Sequence, residues 1–71
     1  LALDGGADGL DAYRALSKSV FNLLTENGCL FLEIGIGQGA DVRSLFKNVG
    51  FKFIRSVSDL GQIERILVFQ K

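Results

Sequence analysis

From Leu10 to Leu24, apolar residues recur at intervals of three and four: Leu10, Tyr13, Leu16, Val20 and Leu24. That spacing gathers side chains on one helix face, and Asp8 stands where a helix N-cap is expected. Asn27-Gly28 ends the pattern, Gly being the residue that most cheaply turns left-handed after a helix. Cys29-Leu30-Phe31-Leu32-Glu33-Ile34 then predicts a strand. It does not alternate, which points to burial on both faces and so to a parallel sheet flanked by helices. A glycine-rich turn runs from Gly35 to Gly39. Val42, Leu45, Phe46 and Val49 follow at i, i+3, i+4 and i+7 and predict a second helix, with Asp41 near its start and Gly50 as its stop.

Two strands close the chain. Phe51 to Val57 sets Phe51, Phe53 and Val57 on one face against Lys52 and Ser56 on the other. Ile63 to Gln70 carries the run Ile66-Leu67-Val68-Phe69, apolar on both faces. The connector, Ser58 to Gln62, is short enough for an antiparallel hairpin. The strand with two apolar faces belongs in the centre, so Ile63–Gln70 is expected between Cys29–Ile34 and Phe51–Val57. The fold class is therefore α/β, in the order helix, strand, helix, strand, strand. Its expected sheet is mixed and three-stranded, with the last strand central and antiparallel.

Composition narrows the chemistry. The 71 residues are 48% hydrophobic and 23% charged, with nine Gly, one Cys and no Pro, His, Met or Trp. Disorder is excluded by the apolar fraction and the zero net charge. The longest apolar runs are four residues, too short for a transmembrane helix, and no signal peptide is expected at the start. A chain opening on Leu reads as a piece of a longer protein. Lone Cys29 gives no disulfide framework, and without His no metal site is expected. The missing His also removes the Ser/His and Cys/His catalytic pairs. Cys29 itself is expected to be a small buried apolar residue.

Charge is uneven along the chain. Residues 1–35 hold five acids against two bases, a balance of −3, and residues 36–71 hold six bases against three acids, a balance of +3. A basic second half is one route to RNA or protein contact, although spread charges are more often a solvated surface.

Glu33-Ile34-Gly35-Ile36-Gly37-Gln38-Gly39 is the stretch with candidate chemistry. An acid followed by three alternating glycines, between a strand and a helix, has the form of the first cofactor motif of S-adenosylmethionine-dependent methyltransferases. Asp59, 20 residues beyond Gly39, stands roughly where a ribose-binding acid is sought. Against this, only 32 residues follow Gly39, and they read as a hairpin rather than a further crossover. The other reading is a tight turn whose glycines serve backbone geometry. Glu33 has two readings as well: a buried carboxylate at the strand end, where open α/β sheets place ligands, or an acceptor for turn amides that orders the loop.

The opening, Leu1-Ala2-Leu3-Asp4-Gly5-Gly6-Ala7-Asp8-Gly9-Leu10-Asp11-Ala12-Tyr13-Arg14, resembles the A-L-x-G-G-x-D-G-L-x-x-Y-R segment of the HemK/PrmC family of release-factor glutamine N5-methyltransferases. The similarity continues through Leu32-Glu33-Ile34-Gly35 with Gln38-Gly39, Gly50-Phe51, and Asp59-Leu60-Gly61 followed by Arg65. The resemblance implies that residues 1–71 are the C-terminal portion of one Rossmann-like methyltransferase domain and hold its fifth, sixth and seventh strands. It moves the glycine turn from the cofactor motif to the turn after the fifth strand. It also implies a cytoplasmic parent enzyme that carries a methyl group from S-adenosylmethionine to the glutamine amide in the GGQ motif of class I peptide chain release factors. The family's cofactor glycines and N-P-P-Y motif are absent from these residues. No catalytic or cofactor-binding residue carries over, and the chain alone is expected to be inactive and not to bind the cofactor. A substrate-side loop is what remains: Gly5, Gly6, Asp8 and Gly9, with Glu33 and Gln38 on the same side of the sheet.

Partners follow from the same reading: release factors, no membrane and no direct nucleic-acid contact. Self-association through strand 29–34 is expected where the neighbouring family strand is missing. The rival is a free-standing small α/β binding module that contacts RNA or protein through its basic second half.

Overall fold

The three-and-four spacing of the first segment becomes helix α1, Asp11–Leu23, and that of the second becomes helix α2, Gly39–Val49. Strand β1 is Cys29–Glu33, β2 is Lys52–Ser58 and β3 is Glu64–Gln70. This computed structural model describes residues 9–71. The strand order is β1-β3-β2, with β3 central, and residues 59–63 close the β2–β3 hairpin. Leu67 and Phe69 are wholly buried in β3, the long apolar run having taken the centre of the sheet.

Both pairings are antiparallel, Leu32 opposite Leu67 on one side and Ser56 opposite Leu67 on the other. The expectation of a mixed sheet is corrected on this point. The outer strands do run parallel to each other, but β3 separates them, so no parallel pairing forms. Both helices pack into one core with Leu32, Ile34, Phe51, Leu67 and Phe69, on a single face of the sheet. Val42 and Phe46 of α2 are fully buried there. Phe46 and Phe69 stack at 5.0 Å, and Phe51 and Phe53 pack around Phe69.

One-sided cover corrects the reading of β1. Leu32 and the following Ile34 are buried, whereas Phe31 on the opposite face is 64% exposed and Cys29 is exposed. The apolar run suggested two covered faces, but both helices lie on one. A bulge between Phe53 and Arg55 corrects β2. The extra residue reverses the alternation. Ser56 therefore lies with Phe53 on the helix side, opposite Leu67, while Val57 lies on the other face opposite Ile66.

The helix ends differ in detail from the sequence reading. Asp8 lies outside the described residues, and the N-cap of α1 is Leu10, whose side chain enters the core. Leu16 is part-exposed, and Ser17 takes the buried position instead, its hydroxyl donating to the Arg14 carbonyl at 2.8 Å. After α1 the left-handed residue is Asn27 (φ 65°) rather than Gly28. Helix α2 ends at Gly50, whose amide donates to Lys47 O while that of Phe51 donates to Phe46 O, the paired bonds of a Schellman cap.

Candidate functional site

The turn after β1 is built around two glycines and the side chain that follows them. Gln38 N donates to Gly35 O at 3.2 Å, which makes Gly35–Gln38 a β-turn. Gly37 takes φ +81° at the third position, a conformation that costs other residues strain. At Gly35 an added Cβ would sit 2.7 Å from Gln38 Oε1, so the missing side chain leaves room for the glutamine amide. The motif glycines serve backbone geometry.

Gln38 is the clasp of the site. Its Oε1 accepts from Gly35 N at 3.1 Å and from the Tyr13 hydroxyl at 3.3 Å. Its Nε2 donates to Gly9 O at 3.4 Å. One side chain thus ties the β1–α2 turn to α1 and to the segment entering α1, each bond contributing about 0.5–1.5 kcal/mol net. The backbone of Gln38 also starts α2, its carbonyl accepting from Val42 N at 3.0 Å.

These groups border an open, largely apolar groove of about 680 Å³ between α1 and β1, lined by Gly9, Tyr13, Leu16, Leu32, Glu33 and Gln38. Three of the six sequence-predicted site residues, Gly9, Glu33 and Gln38, therefore come together. Gly5, Gly6 and Asp8 lie outside the described residues. Both readings of Glu33 are corrected: it is exposed, and the turn amide of Gly35 goes to Gln38 instead. Sequence reasoning missed Tyr13 as a polar partner. Its signal was a hydroxyl on the core-facing stripe of α1, where a buried ring needs a partner for its tip.

Asp59 is committed elsewhere. Its Oδ1 accepts from Gly61 N at 2.8 Å and Ile63 N at 3.0 Å, and its Oδ2 accepts from Arg65 Nε at 2.9 Å. The carboxylate thereby orders the hairpin connector and is not presented to a ribose. The Ile63 amide, then the Arg65 side chain, hold its pKa below the ordinary 3.8. A depressed carboxylate pKa contributes stability above the unfolded value, lost as pH falls through the folded one. The Asp59→Asn variant should therefore melt below the parent chain at neutral pH, and the gap should close as pH drops below about 4. Melting curves from pH 7 to pH 2 check this; a gap that stays constant with pH would contradict it.

Three of the six bases of the second half are engaged within the fold. Arg43 pairs with Glu64 at 2.9 Å and lies over the Phe53 ring, and Arg65 pairs with Asp59. Lys71 donates to Leu24 O at 2.9 Å and sits over Phe21. Among the described residues no three His, Cys, Asp or Glu side chains gather as metal ligands, and no helix is long and apolar enough to cross a membrane.

Known proteins match the chain over nearly its whole length. It is 41% identical over 99% of its residues to a release factor glutamine methyltransferase of Agrobacterium fabrum, covering 24% of that protein. The corresponding enzyme of Thermodesulfovibrio yellowstonii is 40% identical over 99% of the chain, which covers 25% of it. That of Rhodospirillum rubrum is 44% identical over 99%, with 22% covered. The chain spans about a quarter of the length of the curated relatives it matches, and the match is to their C-terminal part. The resemblance read from the opening segment is borne out across the whole chain. No protein-family model and no solved structure matches.

Proposed function

We propose that residues 1–71 form the C-terminal portion of the Rossmann-like catalytic domain of a release-factor glutamine methyltransferase. The whole enzyme moves a methyl group from S-adenosylmethionine to the glutamine side-chain amide of class I peptide chain release factors, in the cytoplasm. The observation that carries this reading is identity near 40% across 99% of the chain to several proteins of that name. The hairpin with its last strand central agrees with the expected end of such a sheet.

These residues do not themselves fit the cofactor. The Gly35 and Gln38 amides are spent inside the turn, and Asp59 is spent in the hairpin. The contribution of this region is positional. Gln38 anchors Gly9, and Gly9 ends the opening segment that holds Gly5, Gly6 and Asp8. In the resembled family that segment follows the substrate motif, so the clasp sets where the substrate-side loop enters α1. Glu33 lies at the rim of the groove beside it. The RNA-binding rival loses ground because Arg43, Arg65 and Lys71 already have partners within the fold.

Titration calorimetry of the chain with S-adenosylmethionine tests the assignment of the turn. No saturable heat is expected. Saturable binding abolished by Gly37→Val would return Glu33–Gly39 to the role of a cofactor loop and overturn this reading.

A further inference from the structure

Gly39 opens α2 in a backbone conformation available to any residue, since its φ is not positive. The need for glycine there comes from the neighbouring strand. A Cβ added at Gly39 would overlap Oε1 of Glu64 and come within 2.9 Å of its Cδ. The carboxylate of Glu64, the first residue of β3, is therefore laid directly on the helix start. A negative charge is favoured at that end of the helix dipole. From the other side, Arg43 Nη1 donates to Glu64 Oε2 at 2.9 Å, and the guanidinium stands 5.2 Å from the Phe53 ring centroid. The two side chains are only 33% and 27% exposed, which spares the pair part of the screening that weakens surface ones.

Glu64 thus joins β3 to the first and second turns of α2 and, through Arg43, to β2. One residue along, Arg65 O accepts from Ile34 N at 2.9 Å. The β1–α2 turn is therefore pinned to β3 by backbone at its start and by the Glu64 carboxylate at its end. Between these pins stands Gln38, immediately before Gly39, with its clasp on Tyr13 and Gly9. Those two contacts are long, 3.3 and 3.4 Å, near the outer limit of such bonds. A small displacement of the helix start is enough to break them.

We infer that Glu64 is a positioning residue for the substrate-side loop. Its carboxylate seats the start of α2 against Gly39, and that seat sets where Gln38 holds Gly9. The missing side chain at position 39 is the space the carboxylate needs. The inference rests on the methyltransferase reading in naming the release factor as the substrate whose binding depends on this loop. Because Glu64 acts through the loop, its loss falls on release-factor affinity and not on the methyl-transfer step.

Gly39→Ala is the sharpest probe. The added methyl meets the far end of a flexible side chain, so Glu64 swings away while the helix gains a better helix former. Glu64→Ala removes the carboxylate outright, and a double variant carries both changes. Circular dichroism checks that all three fold. In the chain itself, exchange of the Gln38 side-chain amide, which donates to Gly9 O, should quicken about three- to tenfold in each single variant, the range one hydrogen bond spans. A chimera then carries these residues in place of the 70 that match in the Agrobacterium fabrum relative. Its KM for the release factor should rise by a similar factor in each single variant, with kcat and the KM for S-adenosylmethionine held within about twofold. The double variant should match Glu64→Ala, because the methyl then fills space the carboxylate has left. Losses that compound in the double variant overturn the proposal, as does a Gln38 amide that exchanges at the parent rate in both single variants. A fall in kcat at unchanged KM also overturns it, since Glu64 would then act on the reaction step. A parent chimera that methylates nothing counts against the methyltransferase reading, and the exchange rates alone then decide whether Glu64 positions Gln38.

Discussion

Phe69→Ala should leave the chain largely unfolded at 25 °C. Phe69 is wholly buried at the centre of β3, stacked on Phe46 at 5.0 Å and edged by Phe51 and Phe53. Deleting such a ring costs about 3–5 kcal/mol, through lost transfer energy and the cavity left behind. A single core in a chain this short rarely supplies more than about 3–5 kcal/mol in all. The two figures are equal, so the loss consumes the whole margin. Helix α1 and strand β1 should unfold with the rest, because both reach the same core through Leu10, Tyr13 and Leu32. Leu60→Ala is the matched control: Leu60 is fully exposed in the hairpin connector, and its loss should change stability by less than about 0.5 kcal/mol. Circular dichroism with urea titration reads both. Cooperative unfolding of the Phe69 variant at the parent midpoint would contradict this account of the core.

Much of this architecture was legible because local patterns and burial agree. The run Ile66–Phe69 reads as central and lies central, and the spacing of Val42 and Phe46 reads as a core face and is one. The short hairpin brings Asp59 and Arg65 together, and the two pair at 2.9 Å. What pattern hid has physical causes. Apolar residues on both sides of β1 imply cover on both sides, yet the two helices share one face, and Phe31 and Cys29 are left in solvent. The bulge at Ile54 inverts the faces of β2 without any Gly or Pro to announce it.

The candidate site was half legible for a similar reason. Its described residues, Gly9, Glu33 and Gln38, border one groove beside the strand-to-helix turn. The roles did not follow. Glu33 drew attention as the charged residue, whereas the neutral Gln38 makes the contacts, with three groups from three segments of chain. An amide can donate and accept at once, and a carboxylate can only accept. Joining a backbone N–H, a hydroxyl and a carbonyl therefore suits a side-chain amide and not a carboxylate. Contacts separated by 25 and 29 residues leave no trace in local spacing.

The central claim is that this chain supplies the C-terminal part of a methyltransferase acting on release factors, and one exchange of segments tests it directly. In the Agrobacterium fabrum relative, the 70 matching residues are replaced by those of this chain. The chimera is then given labelled S-adenosylmethionine and a class I release factor. If the reading holds, the substituted core should fold against the remainder, and label should pass to the release factor. That transfer should disappear when the glutamine of the GGQ motif is replaced by alanine. The relative with the segment deleted, and this chain alone, should transfer nothing. Thermal melting and cofactor titration of the chimera separate a failure of folding from a failure of function. Methylation of the GGQ glutamine by the chimera is the result predicted. A chimera that folds and binds the cofactor like the parent relative, yet leaves the release factor unlabelled, would contradict the account.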